Sequence, residues 1–187
     1  MDGNGRWAQS RGHTRIFGHA RGAKIAKSII ESCATKGIKY LTHFAFSTEN
    51  WLRPQNEVLF LMKLLKKQLC HERKNLIKNN IKFKCIGQLE RLPEFVKAEV
   101  LESIDATANC TGMTLTFALS FGGRQEIARA AKRMAEAVAK GELSPEQINE
   151  HSFHNFLESS FTPDPDIIIR TSGENRLSNF LLWSSAY

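Results

Sequence analysis

The chain has 187 residues, 42% of them hydrophobic, and a formal net charge of +7. That length fits one domain, 1–187, with a sizeable core. No apolar run reaches membrane-spanning length, and no charged-then-apolar signal pattern opens the chain. The positive balance points to a polyanionic partner: nucleic acid, an anionic membrane surface or phosphorylated small substrates.

Asp2-Gly3-Asn4-Gly5-Arg6-Trp7-Ala8 reads as an opening glycine-rich loop, with Arg15 and His19 close behind. Glycine lets a backbone turn tightly and approach a ligand, and Arg6 and Arg15 offer guanidinium forks to phosphate oxygens. A carboxylate beside them, Asp2, suits a hard cation such as Mg²⁺. A magnesium-assisted diphosphate site is one reading of this stretch; an Asn-Gly surface turn is the other.

From His19 to about Lys36 apolar residues recur at helical spacing, with Gly37 as C-cap. Ile38 to Phe46 reads as a buried strand, followed by the polar loop Ser47 to Arg53. Pro54 opens a long helix to about Asn79. Ile81 to Ile86 is a short strand, Pro93 to Ala108 a helix, and Met113 to Ser120 another strand ending in Phe121-Gly122-Gly123-Arg124. A helix runs on to Lys140, and Ser144-Pro145 starts a further short one. Ile167 to Ile169 and Phe180 to Trp183 read as strands.

Alternating strands and helices imply an α/β fold, a mainly parallel sheet flanked by helices, with ligands bound beyond the carboxyl ends of the strands. Cys33, Cys70, Cys85 and Cys110 are scattered and read as reduced core residues of a cytoplasmic protein. Lys63-Lys66-Lys67 and Lys74-Lys78 read as a solvated helix face. His151 and His154 share a helix face, but no third metal ligand is evident.

Five separated segments together closely resemble the cis-prenyltransferases, the undecaprenyl diphosphate synthase family. They are Met1 to Ala8, Phe17-Gly18-His19, Ala45 to Pro54, Phe121 to Arg124, and Ile169 to Trp183, in order along the whole chain. The resemblance implies a hydrophobic tunnel, Mg²⁺ as cofactor and a homodimer. It also implies repeated addition of isopentenyl diphosphate to an allylic primer, usually farnesyl diphosphate. The product would be a long Z-polyprenyl diphosphate, the undecaprenyl lipid-carrier precursor of peptidoglycan.

By the same resemblance Asp2 is the catalytic, Mg²⁺-handling carboxylate, and Gly3, Asn4, Gly5, Arg6 and Arg15 cradle the primer diphosphate. Trp7 and His19 join that substrate site, with Ser47, Thr48, Glu49, Trp51 and Arg53. Arg170, Arg176, Leu177 and Ser178 are the isopentenyl diphosphate site. Asn50 is catalytic by resemblance, although a neutral amide is a poor base, so it reads as an orienter; His19 or a diphosphate oxygen is the better proton acceptor. Met113, Leu115 and the helix face Val58 to Leu69 are candidates for the tunnel wall.

The family's pattern also places a strand before the opening motif and a metal-reaching glutamate beyond Tyr187, so the stretch is expected to be part of a longer protein. Transient contact with a membrane surface is expected, nucleic-acid binding is not. The rival is a non-catalytic partner subunit of a heteromeric prenyltransferase; retention of the Asp-Gly-Asn-Gly-Arg motif argues for the catalyst.

Overall fold

The structure, a computed structural model, describes residues 2–186; Met1, at the head of the opening motif, and Tyr187 lie outside the described residues. The chain forms two compact units, Met1–Ser120 with Arg170–Asn175, and Phe121–Ile169 with Arg176–Tyr187.

The first unit is built from α1 (Asn4–Gln9), α2 (Arg15–Thr35), β1 (Tyr40–Ser47), α3 (Gln55–Lys78), β2 (Lys82–Ile86), α4 (Glu94–Ala106) and most of β3 (Thr114–Phe121). The strands form one sheet in the order β1-β3-β2. β2 and β3 run parallel, with Lys82 opposite Thr114 and Ile86 opposite Ala118. The central strand β3 is buried almost along its length, as a strand covered on both faces should be. Phe83 and Leu115 of the sheet pack in one core with Met62 and Leu69 of α3 and Val96 and Val100 of α4. Met113 and Leu115, candidates for a tunnel wall, are thus fully engaged in this core.

Local signals set the element ends. Gly37 takes φ 75°, its N–H donates to the Ala34 carbonyl and that of Ile38 to Cys33, which stops α2 with satisfied carbonyls. Thr14 caps the other end, its Oγ1 accepting from the Phe17 N–H, so α2 begins earlier than the apolar periodicity indicates.

The second unit holds α5 (Gly123–Ala139) and the short α6 (Glu150–His154), packed around Phe121, Ala130, Met134 and Leu157. Ser144-Pro145 produces a single 3₁₀ turn, Pro145–Gln147, and the α-helix starts only after the next cap, Asn149.

Three expectations are corrected. Ile167 to Ile169 form no strand: Ile167 is 76% and Ile169 84% exposed, and β-branched residues favour strands by fitting a half-buried pleated surface. Phe180 to Trp183 form turns, because Ser178, Asn179 and Leu181 all take left-handed φ values that break an extended chain. Cys70 is exposed on α3 and only Cys110 of the four free thiols is buried.

Candidate functional site

The opening segment is a short helix rather than a loop. Gly3 turns the chain at φ 83°, and the Trp7 N–H then reaches back to the Gly3 carbonyl at 2.8 Å. A β-carbon on Gly3 would stand 2.3 Å from Ser172 Oγ, so only glycine allows the Arg170–Asn175 segment to lie against this turn. Asp2 becomes the meeting point. Its Oδ1 accepts from the Gly3 N–H at 2.6 Å, and its Oδ2 accepts from Arg170 at 2.9 Å and Arg6 at 3.4 Å. The Thr171 hydroxyl donates to the Asp2 carbonyl at 2.9 Å, and Arg6 also donates to Glu174 at 2.8 Å. Partial burial pushes the Asp2 carboxyl up, but the hydrogen bonds from Arg170 and Gly3 outweigh it and hold the group below the usual carboxylate range. Asp2 is therefore ionised at neutral pH.

Two glycines of α2 seat α1. A β-carbon on Gly18 would lie 2.0 Å from the Asn4 carbonyl oxygen, and one on Gly22 would lie 2.3 Å from the Asn4 amide nitrogen. Gly5 leaves room for the Arg15 guanidinium, 3.0 Å from where its β-carbon would be. Arg15, His19 and Arg53 converge on one carboxylate, Glu57 of α3. Oε1 accepts from Arg53 at 2.8 Å and faces His19 Nε2 at 3.1 Å, and Oε2 lies 3.5 Å from Arg15. Burial, the largest influence, drives the His19 pKa down against the pull of Glu57, so the imidazole stays neutral near pH 7. Glu57 was not among the residues singled out by sequence. Its i,i+4 spacing to Arg53 across Pro54 was the available signal.

The second polar loop is a 3₁₀ turn, Thr48–Leu52, closed by a capping box between Ser47 and Asn50. Asn50 Oδ1 accepts from the Ser47 N–H at 3.1 Å, so its carbonyl end orders the loop. Trp51 donates its indole N–H to Ser120 at 2.9 Å, meets Phe46 edge to face, and lies beneath Arg91 at 5.4 Å. Thr48 Oγ1 is buried and makes no hydrogen bond among the described residues, while Glu49 is exposed. Trp7, 39% exposed, stacks on Phe17 with centroids 6.3 Å apart and lies beneath Arg11.

Of the two expected arginine partners, Arg170 belongs to the first unit and Arg176, with Leu177 and Ser178, to the second. There the chain turns through Ser178 and Asn179 at left-handed φ. The Asn179 carbonyl accepts from Gly123 at 2.7 Å and its side chain from Arg124 at 2.8 Å, which ties the glycine pair to this turn.

In the first unit Arg6 and Arg170 pair with carboxylates, and Arg15 and Arg53 share Glu57. A guanidinium has five N–H donors, so the carboxylates on Arg6, Arg15 and Arg53 occupy part of each fork and leave donors for phosphate oxygens. This is a set of preorganised cations on a glycine-shaped turn, suited to holding a diphosphate.

A family model described as "Putative undecaprenyl diphosphate synthase" matches residues 1–187. An isoprenyl transferase of Geobacter sulfurreducens is 53% identical over all of this chain and 76% of its own length. A Micrococcus luteus protein named as a farnesyl-diphosphate-specific ditrans,polycis-undecaprenyl-diphosphate synthase is 47% identical over all of this chain and 75% of its own. Lavandulyl diphosphate synthase from Lavandula x intermedia, solved in complex with dimethylallyl diphosphate, superposes with a TM-score of 0.96. It is 38% identical, covering 98% of this chain and 80% of that one. A probable undecaprenyl diphosphate synthase from Campylobacter jejuni gives 0.78 at 36% identity, over 89% of this chain and 76% of that one. Matched by the family model from residue 1 to 187 and 53% identical to a relative over its whole length, this chain belongs to the undecaprenyl diphosphate synthase family of prenyltransferases.

Proposed function

We propose that this chain condenses isopentenyl diphosphate repeatedly onto an allylic diphosphate, farnesyl diphosphate among the candidates, to give a long Z-polyprenyl diphosphate of the undecaprenyl type. The observation that carries the reading is Asp2, held ionised between Arg170 and Arg6 on a turn that only glycine allows. The farnesyl specificity in the name of the Micrococcus relative and the dimethylallyl diphosphate of the solved neighbour share one chemistry, an allylic diphosphate.

Asp2 supplies one ionised carboxylate, which fits Mg²⁺ in the mode where that cation takes one protein carboxylate and fills the rest of its shell with substrate phosphate oxygens and water. When bound there, the cation would neutralise charge on the departing diphosphate, a contribution of several kcal/mol. Arg6 and Arg15 hold the same leaving group, and their attraction grows as the carbon–oxygen bond ionises. Arg170 binds the incoming isopentenyl diphosphate. Asn50 orients substrate through its amide N–H groups, since its oxygen already serves the loop. His19, neutral near pH 7, or a diphosphate oxygen takes the proton released after the new bond forms.

Each added isoprene unit buries five carbons in an apolar channel, worth up to about 4 kcal/mol. A long product therefore leaves slowly unless lipid receives it. Action as a homodimer at a membrane surface, feeding cell-wall lipid-carrier synthesis, completes the reading.

The test is incubation with farnesyl diphosphate, radiolabelled isopentenyl diphosphate and Mg²⁺ in mild detergent, with and without EDTA. Butanol-extractable label is then resolved by chain length. A Mg²⁺-dependent ladder ending in one long product is expected. Absence of product from the chain and from a version extended at both ends would overturn the catalytic reading in favour of a partner subunit. His19→Gln with full activity and a flat pH–rate profile would remove the histidine from the proton-transfer step.

A further inference from the structure

We propose that one face of α3, where it lies beside α4, is an interfacial surface that docks on an anionic lipid bilayer. The proposal rests on the lipid-product reading above for its biological sense, but on α3 and α4 alone for its physics. Lys63, Lys66, Lys67, Lys74 and Lys78 recur at helical three- and four-residue spacing, so they form one stripe along α3. None of Lys63, Lys66 and Lys67 has a carboxylate within ion-pair distance among the described residues. The acidic residue nearest in sequence, Glu72, is turned to Lys27 of α2, and Arg73 takes up Glu99 and Glu102 of α4. Lys63, Lys66 and Lys67 are exposed along the stripe, and Glu94, beside Phe95, is turned to Lys97.

The stripe is also apolar where a phosphate or nucleic-acid site would not be. Leu59 (47% exposed) and Ile77 (46%) fall on its edge, with the exposed Cys70 between them. Lys63, Lys66, Lys67, Cys70, His71 and Phe95 of α4 line a shallow cleft of about 420 Å³, and Lys66 lies over the Phe95 ring at 6.0 Å. Five lysines, flexible point charges rather than arginine forks, stand on this face with Leu59, Ile77 and Phe95 exposed among them, which combines electrostatic attraction to anionic headgroups with some apolar contact. No helix among the described residues is long and apolar enough to cross a membrane, so this face would rest on the bilayer. Each lysine near an anionic surface strengthens partitioning about fivefold, and the attraction is screened within a Debye length.

The test is co-sedimentation of the chain with vesicles of phosphatidylglycerol and phosphatidylcholine, against vesicles of phosphatidylcholine alone. Single-stranded RNA serves as a competing polyanion. Binding to the phosphatidylglycerol vesicles alone, falling steeply with salt, is expected. The triple variant Lys63→Glu, Lys66→Glu, Lys67→Glu should bind at least 100-fold more weakly. A control with the same charge change elsewhere, Lys24→Glu, Lys36→Glu, Lys140→Glu, should lose much less, and Phe95→Ser should weaken binding without changing its salt slope. Circular dichroism checks that each variant folds, and polyprenyl synthesis in detergent should be unchanged in the triple variant. Equal losses in both triples would overturn the proposal, leaving net charge alone. So would failure to bind phosphatidylglycerol vesicles, or tighter binding of RNA through the same lysines. Vesicle binding is read without substrate, so it stands or falls separately from catalysis.

Discussion

Trp51 of the second polar loop donates its indole N–H to Ser120, a fully buried residue at the end of β3 with φ 49°. A non-glycine residue in that conformation costs about 1–2 kcal/mol, and here its hydroxyl meets the one indole that tethers the loop Ser47–Arg53 to the sheet. The strain is coupled to placing a loop that binds substrate in the proposed reaction. Ser120→Ala should lose about 1–2 kcal/mol in urea unfolding and raise KM for farnesyl diphosphate several-fold, with kcat less affected. Ser120→Gly should relieve the strain and be the more stable of the two, yet show the same rise in KM. If KM followed stability across the pair, Ser120 would be only structural.

Glycine 18 and glycine 22 give the opposite sign to helix propensity. Replacing either with alanine inside α2 should gain about 1 kcal/mol on propensity alone. At Gly18, however, the new methyl would meet the Asn4 backbone carbonyl at 2.0 Å, and a backbone cannot turn aside. We expect Gly18→Ala to lose about 1–3 kcal/mol and to cut activity sharply, since moving α1 moves Asp2. Gly22→Ala meets only the Asn4 side-chain amide, which can rotate, and should cost far less. Thermal melts and turnover of the two variants decide it.

How far the sequence disclosed this arrangement differed from element to element. The helices and β1 to β3 were legible because each carries its own period and its own stop, as Gly37 does for α2. Ile167 to Ile169 misled because branched side chains mark a strand only when neighbours cover them, and cover is not a local property. The opening motif was legible as chemistry but not as shape: α1 forms through a bond from Trp7 to Gly3 and is held by glycines on α2. The pairing of Arg170 with Asp2 spans 168 residues, and no spacing rule reaches that far. Glu57 was missed because an acidic residue in a first helical turn ordinarily serves that turn, whereas this one gathers side chains from α2 and the polar loop.

His43 makes stability depend on pH in the mildly acid range. It lies partly buried on β1, stacked on Phe117 at 5.8 Å, and burial lowers its pKa from 6.5 to about 4. As pH falls through 6.5 the unfolded chain takes up this proton while the folded chain resists, so stability is lost on acidification. The loss continues to the folded pKa and then stops. From about pH 7.5 to about pH 5 it should reach about 2 kcal/mol. His43→Phe keeps the ring and removes the titration, so its unfolding free energy should fall less over the same interval. Parallel curves for the variant and the parent would assign the acid sensitivity elsewhere.

Asp2 and Arg15 both belong to the proposed diphosphate site, but they should not contribute equally. Arg15 is half exposed and meets Glu57 only at 3.5 Å. A charged hydrogen bond from such a group is worth about 1.5–3 kcal/mol, so Arg15→Ala should slow turnover about 10- to 100-fold. Asp2 carries the cation in the proposed reaction and also anchors Arg170 and Arg6, so Asp2→Ala removes a stabilisation of several kcal/mol and should cost about 1,000-fold or more. Its ion pairs are partly exposed and add little to folding, so the variant should melt close to the parent. Turnover at saturating substrate, set beside melting temperature, separates the two roles. A milder defect for Asp2→Ala than for Arg15→Ala would reverse the order and make the arginines, with no cation, the main acceptors of leaving-group charge.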